Sequence, residues 1–533
     1  MLTNSNTPDK ELDKLQIDTH RIIFITLLLI SLFILFRTAW ISDDAFITLR
    51  TIDNWSNGYG LVWNEGERVQ TYTHPLWMLI LSLTYIFIHE IYFNILIVNI
   101  AVSFFVFILF LRYFSDSLFS MIFGWAVLIS SKAFIDYSTS GLENGLTHFL
   151  VLSFMILFLR KNYGSKEKHL LVLSFIAGLS TTNRMDTILF FIPSLIYLWF
   201  MSFRDLKSVG IILLGFSPFI IWEFFLIFYY GFPFPNTAYA KLNSGIPQGD
   251  LLRQGIVYFL NSITWNPITL IVIALALFLT WAIQDGNSKK KIFGVGIILY
   301  LTYVIYIGGD FMSGRFFSAP FLMSTFILIN LTQRLSNNYK FIFSVLILGL
   351  GFLSTKTTFS YFFIESNFSA DAEKIIIDTN TGIADEREYQ YNNTSPIVLN
   401  RNMNVFSAEW MKEIVRFKEN NIPVKVLESI GIIGYLAGPD VHIIDVYALS
   451  DPLLARLKIT DLENWRIGHF RRDIPEGYIL TLKTKKNHIA DPDLSKYYDK
   501  LKVIVSYPLF SKERLRTIWE MNTGKYNYLL EDN

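Results

Sequence analysis

Two adjacent carboxylates, Asp43 and Asp44, open the segment Asp43-Asp44-Ala45-Phe46-Ile47-Thr48, shortly after an apolar run from Ile22 to Phe36. Charge at the edge of a hydrophobic span is costly unless it faces water or takes part in chemistry. A carboxylate in that position can take a proton from a hydroxyl or support a developing sugar cation. Groups that could hold a departing phosphate recur along the chain. Arg68 and His74 follow in the same polar stretch. Asp136 and Glu143 flank Ser140-Gly141-Leu142, and Arg184 precedes Asp186. Lys241 follows Phe232-Pro233-Phe234-Pro235, and Asp310 and Arg315 enclose a turn begun by Gly308-Gly309.

Each of these has a plainer explanation. A boundary Asp-Asp is also a favourable, solvated start for a helix. Arg184 with Asp186, and Asp310 with Arg315, could be ion pairs that hold loops together. Trp40, Trp55, Trp63 and Trp77 fit an interfacial belt, and His74 before Pro75 reads as a helix start. What carries a signal is the joint distribution. These residues fall in five loops on one side of the apolar segments, each with charge beside Gly, Pro or aromatic residues, and they could converge on one cavity.

The elements that must position them are membrane spans. Of 533 residues, 52% are hydrophobic, with 48 Phe and 27 Tyr, and the mean hydropathy is +0.38. That is too apolar for a soluble protein of this length. A net charge of +1 gives no reason to expect nucleic acid, and the absence of cysteine excludes disulfides, thiol catalysis and thiolate-bound metal. Apolar segments predict helices near 21–39, 93–111, 118–134, 145–160, 168–182, 187–202, 207–229, 266–283, 292–308, 316–332 and 341–357. With the N-terminal segment 1–20 inside, basic clusters such as Arg160-Lys161, Arg204 with Lys207 and Lys289-Lys290-Lys291 also lie inside. The opposite loops before the last helix hold only Arg50, Arg68, Arg184, Lys241, Arg253 and Arg315.

One apolar stretch, His74 to Ile88, is too short to span and would invert every later loop, so it reads as a re-entrant or interfacial helix. A transmembrane region over 21–364 is then followed by a polar region over 365–533 on the outside. Strands are expected there at Pro396–Leu399, Val424–Leu427, Val441–Asp445 and Val503–Tyr507, with helices at Ala408–Asn420 and Lys512–Met521, hence an α/β domain. The fold class is an α-helical polytopic membrane protein of about eleven transmembrane helices with a C-terminal soluble α/β domain.

This arrangement suits transfer of a sugar from a lipid-linked phosphate. The donor presents its head group at the outer surface while its tail stays in the bilayer, which a short re-entrant helix beside the site would admit. One carboxylate activates the acceptor hydroxyl or supports the sugar cation, and basic groups hold the phosphate. Asp44 is assigned the first role and Asp43 the positioning of Asp44 or substrate. Arg68, His74, Arg184, Lys241, Asp310 and Arg315 are assigned phosphate or sugar contacts, and Asp136 and Glu143 the acceptor side. No cofactor is expected, because a monophosphate donor does not require a divalent metal. Two other readings remain: a transporter or flippase of lipid-linked sugars, which predicts midplane charges and internal repeats, and a non-catalytic envelope-assembly protein.

With these residues in hand, the chain resembles the GT-C integral-membrane glycosyltransferases. More narrowly, Asp43–Thr48, Asn64–Trp77, Ser140–Asn144, Gly309–Met312 and Arg315-Phe316 resemble the mycobacterial-type terminal β-(1→2) arabinofuranosyltransferases. The similarity runs from about residue 38 to 325 and resumes around Gly431 to Asp451. The resemblance implies a decaprenyl-phosphate arabinofuranose donor, or a related polyprenyl-phosphate sugar, and a cell-envelope glycan acceptor. It also implies a bacterial plasma-membrane location with chemistry on the outer face. Asp43 and Asp44 match the family's acidic pair, and its essential role is carried onto them.

Overall fold

Apolar runs interrupted by Ser, Pro and Gly become helices whose ends those residues set. The computed structural model describes residues 7–160, 165–202, 204–242, 244–283, 288–333, 336–352, 377–378, 380–397, 412, 414–416, 419 and 422–530. Helix forms in each of the eleven expected segments, with 353–357 of the last outside the described residues. Among the described residues, three helices are long and apolar enough to cross a membrane: Asp18–Thr38, Ile91–Tyr113 and Arg315–Thr332. Three bent pairs reach that length jointly: Leu118–Ser130 with Lys132–Ser138 (80°), Leu206–Gly215 with Ser217–Tyr229 (63°), and Gln248–Trp265 with Pro267–Ala282 (110°). Two helices read as continuous, 118–134 and 207–229, are therefore broken, and Gln248–Trp265 is a helix where the sequence suggested a loop.

The breaks have local causes. Ser131 ends one helix and caps the next, its hydroxyl accepting from Phe134 N at 3.2 Å. Pro218 and Pro267 sit in first turns, where a missing N–H is harmless. Close packing accompanies the second bend. A Cβ on Gly215 would lie 2.3 Å from Ser174 Cβ, so the helices Lys166–Asn183 and Leu206–Gly215 touch almost backbone to backbone.

The short apolar stretch after His74 forms an 11-residue helix, Pro75–Tyr85, packed against Asp43–Ser56, Ile91–Tyr113 and Lys166–Asn183. The tryptophan belt expected from the sequence does not form. Trp40, Trp63 and Trp77 are 0–1% exposed, and only Trp55 is open. Trp40 Nε1 donates to Asp136 O at 2.9 Å and Trp77 Nε1 to Gly141 O at 3.0 Å, so these indoles fasten the loops to one another.

Among the described residues, the polar C-terminal region holds two small sheets. Ile377–Asp378 pairs antiparallel with Ile383–Ala384, and Val424–Leu427 pairs parallel with His442–Asp445, Val424 opposite His442. The strand expected at Val503–Tyr507 is instead the end of a helix, Pro492–Ser506. Asp491 caps that helix, and Leu494, Tyr497, Tyr498, Leu501, Ile504 and Val505 repeat at helical spacing on its buried face, which outweighs the β-branched run. The helix Lys512–Asn522 lies where 512–521 was expected. Of the strand expected at 396–399, Pro396 and Ile397 lie in a turn and the remainder falls outside the described residues, as do the boundary at 364/365 and most of 408–420.

Candidate active site

Asp43 and Asp44 form the first turn of the helix Asp43–Ser56. Successive residues on a helix point about 100° apart, and the two carboxylates meet different surroundings. Asp43 accepts hydrogen bonds from Ile432 N (2.8 Å), Ser429 Oγ (3.0 Å) and Gly431 N (3.2 Å). It is committed to holding a segment almost four hundred residues away. A Cβ at Gly431 would fall 2.0 Å from Asp43 O, so only glycine allows this approach. Gly431→Ala is expected to detach this segment, read as faster proteolytic cleavage between residues 427 and 441 with the spans intact.

Asp44 is half-buried and forms no hydrogen bond or ion pair among the described residues. Burial raises its carboxyl to about 6. Lys241 and Arg315 pull it down, and Asp43 and Asp310 push it up. An unpaired carboxylate near neutrality, accessible on one side, is suited to general-base work.

Behind it lies a buried ion cluster centred on Glu143. Its carboxylate receives Arg184 Nη1 at 2.9 Å and Arg315 Nη2 at 3.1 Å, and His74 Nδ1 lies 3.2 Å away. Arg184 also pairs with Asp186 (Nε to Oδ1, 3.0 Å), and Arg315 approaches Asp310 at 3.5 Å. The two loop ion pairs suggested by the sequence both exist, joined through Glu143. Burial raises the Glu143 carboxyl, but Arg315, His74 and Arg184 more than offset this and hold it well below the usual range. Burial lowers His74 to about 4 against the pull of Glu143, and Thr48 Oγ1 lies 2.8 Å from its Nε2.

Lys241, at the end of the helix Asn236–Leu242, is exposed and makes no ion pair among the described residues. Its nearness to Asp44 makes it a free cation at the open side of the site.

The C-terminal region contributes residues that sequence reasoning missed. Glu386 sits half-buried in the field of Asp44, Asp43, Arg466 and Asp310, and burial with these acidic neighbours raises it to about 8. Its neighbours fix it in place. Lys132 Nζ is 2.9 Å from Asp385, and Arg387 Nε donates to Thr38 O at 3.2 Å. Ala384 N donates to Phe311 O at 2.7 Å. Arg466 Nε donates to Gly382 O at 2.8 Å, and its guanidinium lies over the Phe311 ring at 5.6 Å. No local pattern marked either residue, since both lie in polar stretches where charge is ordinary.

Two assigned residues lie elsewhere. Asp136 joins a second buried cluster, paired with Lys132 and 3.5 Å from Arg387. Arg68 donates to the carbonyls of Tyr507 and Ile504 and lines a separate cleft with Gln70, Tyr230, Phe232 and Arg456. The other eight, Asp43, Asp44, His74, Glu143, Arg184, Lys241, Asp310 and Arg315, are brought together. The loops meet directly as well, through Ser42 N to Ser140 O (2.9 Å) and Tyr72 Oη to Tyr230 Oη (2.9 Å). Among the described residues, no group of three or more His, Asp or Glu could hold a metal ion.

Fold and site define a helical membrane protein whose charged site is built between the loops that join apolar helices. Its relatives make that class more particular. The chain is 29% identical over 331 residues to the terminal β-(1→2)-arabinofuranosyltransferase of Mycobacterium tuberculosis, covering 53% of this chain and 51% of that protein. It is 27% identical over 318 residues to the protein of the same name from Corynebacterium glutamicum, covering 53% of this chain and 46% of that one. The chain thus spans about half the length of the curated relatives it matches. No family model matches it. Among solved structures it is similar to ArnT from Cupriavidus metallidurans bound to undecaprenyl phosphate, with 12% identity, a TM-score of 0.48, and 79% of this chain and 85% of that one covered.

Proposed function

We propose that this protein transfers a sugar, arabinofuranose or a related pentose or hexose, from a polyprenyl-phosphate donor to a cell-envelope glycan on the outer face of the bacterial plasma membrane. The observation that carries the reading is the unpaired, half-exposed Asp44 beside Lys241 and Arg315, in a chain similar to terminal arabinofuranosyltransferases. In the reaction, the acceptor hydroxyl gives its proton to Asp44 and its oxygen bonds the anomeric carbon. The bond from that carbon to the phosphate oxygen breaks, and the electron pair leaves with the polyprenyl phosphate. Lys241 and Arg466 neutralise the phosphate from the open side, and Arg315 does so from within, held in place by Glu143.

Asp43 serves the site from one step back, by holding the segment Ser429–Ile432 against the catalytic helix. The charge of a leaving monophosphate is met by side-chain cations, so the reaction as drawn uses no metal. Purified protein in nanodiscs, given a polyprenyl-phosphate arabinofuranose and an arabinan acceptor, is expected to lengthen the acceptor. Donor consumption without acceptor, or movement of donor between leaflets without transfer, would overturn the assignment.

Lys241→Gln is expected to raise the donor KM roughly 10-fold with a smaller effect on kcat, since a partly exposed charge contact to phosphate contributes about 1.4 kcal/mol. Steady-state kinetics at varied donor concentration checks this.

A further inference from the structure

The C-terminal helix Lys512–Asn522 is amphipathic and is bound to the end of an apolar helix. Its inward face carries Arg514, whose guanidinium donates to Phe228 O (2.8 Å) and Tyr229 O (2.7 Å), the last carbonyls of Ser217–Tyr229. Asn522 Nδ2 donates to Gly231 O at 2.8 Å. These bonds satisfy carbonyls that a helix end leaves without partners, and they fix the C-terminal helix at the level of Tyr229.

The outward face is unusual for a water-facing surface. Phe510 is 80% exposed, Trp519 73% and Leu515 44%, with Lys512 and Arg516 on the same side. The Phe510 ring lies 5.3 Å from Phe228, and Phe224, one turn deeper on the apolar helix, is 72% exposed. Exposed apolar side chains therefore continue from Phe224 on Ser217–Tyr229, through the Phe228–Phe510 contact, to the C-terminal helix. Exposed aromatic and aliphatic residues interleaved with Lys and Arg are the pattern of a helix lying in the headgroup region, and a patch of this kind left in water is costly.

We propose that the face formed by Phe510, Leu515 and Trp519 is seated in the headgroup layer of the leaflet adjoining Tyr229, making the C-terminal helix an interfacial anchor for the polar region. Its occupant is the lipid surface, because this face adjoins the exposed surface of an apolar helix and is bordered by Lys512, a cation that favours anionic headgroups, and by Arg516, which is paired with Glu520 at 2.9 Å. The proposal rests on the reading of the chain as a membrane protein and is independent of the reaction it catalyses.

The chain contains no cysteine, so single thiols can be placed for nitroxide labelling at Leu515→Cys, Trp519→Cys, Phe224→Cys and Lys496→Cys. The full-length protein is reconstituted in phosphatidylcholine–phosphatidylglycerol nanodiscs. Collision of each label with oxygen is compared with collision with a water-soluble nickel chelate. The oxygen-to-nickel ratio at 515 and 519 is expected to be several-fold above that at 496 and below that at 224. Ratios at 515 and 519 equal to that at 496 would overturn the proposal. So would line broadening from label-to-label coupling at 515, which would put a second copy of the chain on this face. A water-exposed label at 224 would instead overturn the membrane reading itself.

Discussion

Asp44→Asn is expected to reduce sugar transfer by about 10²–10⁴-fold, the range of a lost general base, with no loss of thermal stability. The second half of that expectation follows from the geometry. Asp44 makes no hydrogen bond among the described residues, so an isosteric amide leaves nothing unsatisfied. Asp43→Asn is expected to behave in the opposite way. The one amide oxygen can still accept from Ile432 N, while the NH2 group replaces the oxygen that Gly431 N and Ser429 Oγ bond, so transfer falls only a few-fold and the segment around Ser429–Ile432 becomes easier to cleave.

The pH profile gives the same distinction. A general base works in its deprotonated form, and burial sets the Asp44 carboxyl at about 6. Lowering pH through that value protonates it, so log kcat/KM should fall with unit slope below about pH 6 and level off above it. In Asp44→Asn the residual rate should lose that limb. Normal transfer by Asp44→Asn, or an acid limb that survives in it, would remove Asp44 from the base role.

Glu143→Ala is expected to be the most destabilising single change at the site, by about 3–5 kcal/mol. Glu143 is 0% exposed and anchors Arg184 and Arg315, both nearly buried themselves. Removing it leaves two guanidinium groups facing each other with only Asp186 and Asp310 to share. Desolvated charges without partners, rather than lost contact area, dominate the cost. Urea titration in detergent, followed by tryptophan fluorescence, checks the magnitude. Combining the change with Arg184→Met should cost less than the sum of the two single changes, because the second removes one of the stranded cations. Strict additivity would mean that Glu143 and Arg184 do not act as a pair.

Much of the helical architecture is legible in the amino-acid sequence. Hydropathy acts locally, and a run such as Ile91–Tyr113 has few ways to satisfy its backbone in lipid other than as a helix. Charge beside such runs is legible for the same reason, which is why eight of the ten assigned residues lie in contact or in one another's field. Local signals fail where a contact partner competes with them. The run Val503–Val505 has strand propensity but packs as the inner face of a helix, and three tryptophans expected at the interface are drawn into the core, two of them by carbonyls from other loops. Helix bends at Ser131 and Phe216 also escape a local reading, since a serine or a proline two residues on breaks a span only when neighbouring helices accept the new direction.

Composition and local pattern are enough to make this chain helical and apolar, to gather its reactive residues at one set of loop boundaries, and to put an acidic pair among them. They cannot say which acid is free. Asp43 and Asp44 are neighbours of one residue type, and nothing local separates them. The backbone of Gly431 and Ile432 takes up one carboxylate, and the other lies in the field of Lys241, Arg315 and Glu386. Those partners come from loops nearly two hundred to almost four hundred residues away along the chain. A side chain's protonation and reactivity depend on burial and on the charges within a few ångströms, and only the fold sets those.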